Sequence, residues 1–161
     1  MGERRPHGLQ RVLVALHVED GYDGQVVATA IKLAARRRHG IHVVVLATVP
    51  YALPLDSRKR EREAEAQGLI EQARVQGGTR VTGHVELVRP GQAGRRIVEQ
   101  AVAMRATAIV MSLPRRVAGA SIFGKTLETV LAERPCRVII EANPSLQRGL
   151  AHAQDRAEVG G

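Results

Sequence analysis

Aromatic residues are nearly missing from this sequence. Its 161 residues include no tryptophan, one phenylalanine and two tyrosines. That leaves no stacking platform for single-stranded nucleic acid. It also requires a core of Val, Ile, Leu and Ala, as in sheets covered by helices on both faces. With one cysteine no internal disulfide can form, which fits a reducing compartment. No apolar run approaches the roughly 18 residues of a membrane span. The opening MGERRPHGLQ carries charge but no apolar stretch of the signal-peptide kind. The expectation is a cytoplasmic protein without direct membrane insertion. Histidines His7, His39, His42, His84 and His152 show no metal-ligand spacing, so no metal is expected. No nucleophile, base and acid are grouped for catalysis, so the expectation is a protein that is not an enzyme.

Charge is abundant, with a net value of +8. Its distribution argues against a nucleic-acid partner. Arg36, Arg37 and Arg38 close the first helical stretch, where cations suit the helix dipole. Arg58, Lys59, Arg60 and Arg62 alternate with Glu61, Glu63 and Glu65, the pattern of a solvated helix face.

The length suits one domain. Residues 1–9 read as a flexible lead-in, 10–142 as the domain and 143–161 as a flexible tail. Arg11 to Val18 is a nearly continuous apolar run, the mark of a central parallel strand. The turn Glu19 to Gly24 leads to a helix over Gln25 to His39, with Val27, Ala30, Ile31 and Ala34 on one face. A second strand spans Ile41 to Val49. A long helix spans Ser57 to Gln76 and ends at Gly77 and Gly78. A third strand over Val81 to Val88 and a helix over Gln92 to Arg105 follow.

Thr107 to Glu141 is the stretch the rest serves. It reads as a strand at Ala108 to Met111, a basic loop at Leu113 to Gly119 and a helix from Gly124. Pro135 ends that helix, and a last strand covers Cys136 to Ile140. The alternation predicts an α/β fold: an open five-stranded parallel sheet with helices on both faces, Rossmann-like in kind. Ligands bind such sheets at the carboxyl ends of the strands, near the switch point. That brings Leu16 and His17 towards the loop from Ser112 to Gly119. Unpaired N–H groups at a helix start favour an anion, and Gly124, Lys125 and Thr126 stand there.

Three readings attach to these residues. Gly119 to Thr126, GASIFGKT, satisfies G-x4-G-K-[ST], but a phosphate-binding loop of that kind needs a strand running straight into its first glycine. The strand here ends near Ser112, which disfavours nucleotide hydrolysis. The other readings are that Lys125 faces solvent while Gly124 permits close packing, or that Lys125, Thr126 and backbone N–H groups hold a phosphate with Arg115 or Arg116 closing over it. His17 either contacts a base or is a core histidine bonded to backbone. Cys136 reads as a small buried hydrophobe rather than a nucleophile. Asp20 and Asp23 are turn formers within reach of a ribose.

The opening LVAL, the glycine-containing turn before the first helix and the segment GKTLETVLAERPCRVII together resemble the universal stress protein family over Arg11 to Glu141. The chain also resembles soluble domains appended to bacterial transporters. The resemblance implies a regulatory or stress-response role, a homodimer through the fifth strand at Arg137 to Ile140, and a transporter as one candidate partner. ATP-binding members resemble one another in an Asp ending the first strand and a loop G-x2-G-x9-G-[ST]. Here the Asp position falls on His17, and the first two glycine positions fall on Met111 and Pro114. Lys125 holds the Ser/Thr position, with Thr126 one place later. These departures count against ATP and leave an adenine nucleotide or phosphate-like anion as the expected ligand. The competing expectation is a dimeric interaction module that has lost ATP binding and docks on a protein partner.

Overall fold

The computed structural model describes residues 11–34, 39–56, 58–113 and 124–142. The expected flexible termini, the arginines at 36–38, Ser57 and the loop from Pro114 to Gly119, with Arg115 and Arg116, lie outside them.

Among the described residues, five strands and four α-helices alternate: β1 (Arg11–His17), α1 (Gly24–Leu33), β2 (Gly40–Thr48), α2 (Lys59–Gly77), β3 (Val81–Val88), α3 (Ala93–Ala103), β4 (Ala108–Ser112), α4 (Gly124–Glu133) and β5 (Arg137–Glu141). The strands form one parallel sheet in the order β3-β2-β1-β4-β5. The predicted α/β architecture is therefore the observed one.

Side-chain alternation divides the core in two. Val12, Val14 and Leu16 of β1 point to one face with Ile41, Val43 and Val45 of β2, beneath Val26, Val27 and Ala30 of α1 and Ile70 and Ala73 of α2. Leu13 and Ala15 point the other way with Val44 and Leu46, beneath Ile97 and Ala101 of α3 and Leu127 and Val130 of α4. Burial on both faces is why β1 reads as an unbroken apolar run. Each fully buried Leu or Ile contributes roughly 1.5–3 kcal/mol, so the aliphatic core compensates for the missing aromatics.

The boundaries depart from expectation where local chemistry intervenes. Helix α1 stops at Leu33, six residues before His39. Ala34 leaves the helical region with ψ 59°. The Arg80 guanidinium donates to the Ala34 carbonyl, an acceptor that a continuing helix would use itself. The helix start is firm: Asp23 accepts from the N–H groups of Gln25 (3.1 Å) and Val26 (3.3 Å), a cap worth about 1 kcal/mol. That cap is the role Asp23 fills. Helix α3 closes two residues early, with Arg105 beyond it in the left-handed region at φ 53°. Strand β1 ends at His17 because Val18–Asp20 turns into a short 3-10 helix. Strand β5 starts one residue late, at Arg137.

A cleft at the switch point as candidate functional site

Successive crossovers carry the chain outward from β1 to β2 and β3, then back across β1 to β4 and β5. The helices after β1 and β4 therefore leave the sheet on opposite faces, and a crevice opens between the ends of these two strands. It is a cavity of about 380 Å³. On the β1 side stand His17, Glu19 and Asp20, with Thr48 from the end of β2. On the other side stand Met111 and Ser112 of β4 and Gly124, Lys125, Thr126 and Leu127 of α4.

Each wall is set by its local chain. His17 is the last residue of β1 and is half-buried. Burial pushes its imidazole pKa below the ordinary value, while the carboxylates of Asp20 and Glu19 pull it partly back. Glu19 accepts from the Thr48 N–H at 3.0 Å and from Arg62 Nη1 at 3.4 Å, which fixes one acid against the end of β2. Gly21 closes the turn at φ 74°, a conformation that favours glycine.

Across the cleft, Gly124 opens α4 at φ 69°, so glycine is required there by backbone conformation. Lys125 is exposed, Thr126 half-buried and Leu127 fully buried as the floor. Thr129 donates to the Lys125 carbonyl at 2.9 Å. The helix is seated by close approach to α3: a Cβ added at Gly94 would stand 2.7 Å from Thr129 Cβ and 2.8 Å from the Thr126 carbonyl oxygen. The Lys125 side chain runs to the turn between β3 and α3, where a Cβ added at Gly91 would stand 3.0 Å from Nζ.

His17, Ser112, Gly124, Lys125 and Thr126, which come from distant parts of the sequence, thus line one cleft. Leu16 does not. It is 3% exposed and packs into the first core, because its side chain points to the face opposite its neighbours in β1. Sequence reasoning did not find Glu19, Thr48, Leu127, Gly91 and Gly94 as contributors. Only Glu19 left a signal, as an acid beside the first-strand turn. Asp20 does line the cleft. Strand β4 ends at Ser112, so it does not run directly into Gly119 as a strand-fed phosphate loop would need. Cys136 is half-buried and burial raises its thiol pKa, which suppresses the thiolate.

Comparison with known proteins agrees with this architecture. The universal stress protein family matches residues 8–140. The chain belongs to that family. No curated protein matches it. Among solved structures, a universal stress protein from Archaeoglobus fulgidus is 25% identical, with a TM-score of 0.56 over 81% of this chain and 97% of that one. The universal stress protein UspA from Lactobacillus plantarum is 18% identical, with a TM-score of 0.56 over 83% and 97%. A universal stress protein in complex with cAMP is 19% identical, with a TM-score of 0.59 over 83% and 97%. Among the described residues of the present family member, no helix is long and apolar enough to cross a membrane.

Proposed function

We propose that this universal stress protein is a non-enzymatic regulatory domain that holds an adenine nucleotide, or another phosphate-bearing ligand, in the cleft between β1 and α4. One observation carries the reading: Lys125 and Thr126 stand at the opening of α4 and line a cleft whose opposite wall is His17 and Asp20. A helix opening presents N–H groups and a positive dipole end to an anion. A neighbouring ammonium adds a charge-assisted contact. Asp20 supplies an acceptor for a ribose hydroxyl, and neutral His17 supplies a flat partner for a base. The cAMP held by one structural relative gives this ligand class a precedent on the same fold.

The ligand expected is a mono- or cyclic phosphate rather than ATP. The first-strand position that carries Asp in ATP-binding members is His17, and the Met111 side chain occupies a place in the cleft wall where a glycine would leave backbone open. Calorimetric titration with AMP, cAMP, ATP and inorganic phosphate tests this. Binding of AMP or cAMP more tightly than phosphate supports the reading, and no heat with any of the four removes it.

A second reading, a dimeric module that docks on a protein partner such as a transporter, is favoured by β5. It is the last strand of the sheet, and Val138, Ile139 and Ile140 are only half-buried. An apolar edge of this kind invites strand pairing with a second copy.

A further inference from the structure

The sheet face under α3 has a corner that the helix does not cover. There, His42 of β2 pairs in register with Thr82 of β3, and Val44 pairs with His84, so the two histidines sit diagonally on one face. His42 Nε2 and His84 Nδ1 approach to 2.7 Å. The ring centroids are 5.0 Å apart, so the rings meet edge to edge through these two nitrogens. Each remaining ring nitrogen has its own partner: His42 Nδ1 lies 2.7 Å from Thr82 Oγ1, and His84 Nε2 lies 3.1 Å from Glu86 Oε1. The His84 and Glu86 side chains are about one-third exposed, so solvent and small ions reach them.

These partners constrain the tautomers. The Glu86 carboxylate can only accept, so His84 carries its proton on Nε2 and turns a lone pair on Nδ1 towards His42. Thr82 can donate or accept. When it donates, His42 Nδ1 accepts and His42 Nε2–H donates to His84. When it accepts from His42 Nδ1–H, the lone pairs of the two rings face each other, an arrangement that a bound proton or a metal ion satisfies. Ligating histidines are held in this way, with the second nitrogen donating to a carboxylate, a backbone carbonyl or water, and here His84 has the carboxylate of Glu86.

We propose that His42 and His84 form a binding site for a borderline divalent transition-metal ion of the zinc, nickel or copper type. Imidazole nitrogens suit such ions, whereas magnesium and calcium prefer oxygen. Zinc–nitrogen bonds of about 2.0–2.1 Å at a tetrahedral angle need the two nitrogens roughly 3.3 Å apart with converging lone pairs, so the rings must part by about 0.6 Å and each swing by roughly 35°. Side-chain rotations at this partly exposed corner supply that. Among the described residues, no group of three or more His, Cys, Asp or Glu side chains could hold an ion. Water therefore completes the shell, and the ion is exchangeable. Glu86 stays on His84 as an orienting group. The site is separate from the cleft, and this inference does not rest on the nucleotide reading.

Thermal unfolding of the full chain with zinc chloride, with magnesium chloride as control, tests the proposal. An ion that binds only the folded form must raise the melting temperature by mass action. Zinc should raise it and magnesium should not. His42→Gln and His84→Gln should each abolish the zinc increment, and Glu86→Gln should shift the zinc midpoint upward by about 10–100-fold. No zinc increment, or one unchanged in both histidine variants, overturns the proposal. Should those variants fail to fold, copper(II) broadening of imidazole NMR signals in the unaltered protein replaces them. The His42 and His84 signals should broaden first, and earlier broadening of other histidines overturns the assignment.

Discussion

Lys125 and Gly91 meet across the space between two crossovers. A Cβ added at Gly91 would stand 3.0 Å from the lysine Nζ and 3.5 Å from its Cδ and Cε. The cation at the cleft is thus laid over a turn that belongs to the β3–α3 connection, and the turn has room for it because residue 91 has no side chain. Gly91 is also at φ 81°, where an L-residue is strained.

Gly91→Ala should therefore act twice. Strain at positive φ should cost about 1–2 kcal/mol of stability, read as a lower urea midpoint. The new methyl should also push the ammonium away and change phosphate affinity beyond what the stability loss explains. A variant with unaltered midpoint and affinity would show that the contact has no energetic content.

Gly94→Ala tests how α4 is held. The added methyl would meet Thr129 Cβ and a backbone oxygen of α4 well inside contact distance. Overpacking of this kind costs about 1–3 kcal/mol. Because α4 carries Lys125 and Thr126, ligand affinity should fall together with stability. Urea unfolding and a binding titration on the same sample separate the two effects.

Acid sensitivity should report on His17. Burial lowers its folded-state pKa below the ordinary 6.5. Above that value the ring is neutral in folded and unfolded chains, and it adds no pH dependence. As pH falls below it, the unfolded chain binds a proton that the folded chain refuses, so stability drops until the folded pKa is passed. His17→Gln should remove this share of the loss. The stability difference between the native protein and the variant, followed by urea midpoints from neutral pH downward, should change over that window. A difference that stays flat with pH contradicts the burial.

The edge strand β5 predicts association. At micromolar concentration, light scattering should return twice the chain mass, and Ile139→Lys should return the single mass, since a charge on an edge strand opposes pairing. A monomer without the substitution would contradict the dimer.

The order and kind of the elements were legible because β1, β2, β4 and most of β5 are dense aliphatic runs, β3 alternates apolar with polar residues, and the helices between them repeat an apolar face. The cleft was half legible. The end of β1 and the opening of α4 carry local signals, namely His17 after an apolar run and Gly124-Lys125-Thr126 before a periodic one. Thr48 has no such signal, since only the β1–β2 register brings it to Glu19. Gly91 and Gly94 read as ordinary turn and helix residues, and their role arises from α3–α4 packing. Leu16 was misplaced because the alternation of a strand buried on both faces cannot be read from residues that are all apolar. The His42–His84 approach was invisible for the same reason that spacing rules fail across strands: the two residues are distant in sequence and become neighbours only through the β2–β3 register.

The central claim is that Lys125 at the opening of α4 holds a phosphate group. The most direct test is the melting temperature of the native protein and of Lys125→Ala, each with and without millimolar AMP, cAMP and inorganic phosphate. A folded-state ligand must stabilise by mass action. The expected result is a rise with AMP or cAMP that exceeds the rise with phosphate in the native protein and is largely lost in Lys125→Ala. An equal rise in both proteins, or no rise in either, would contradict the claim.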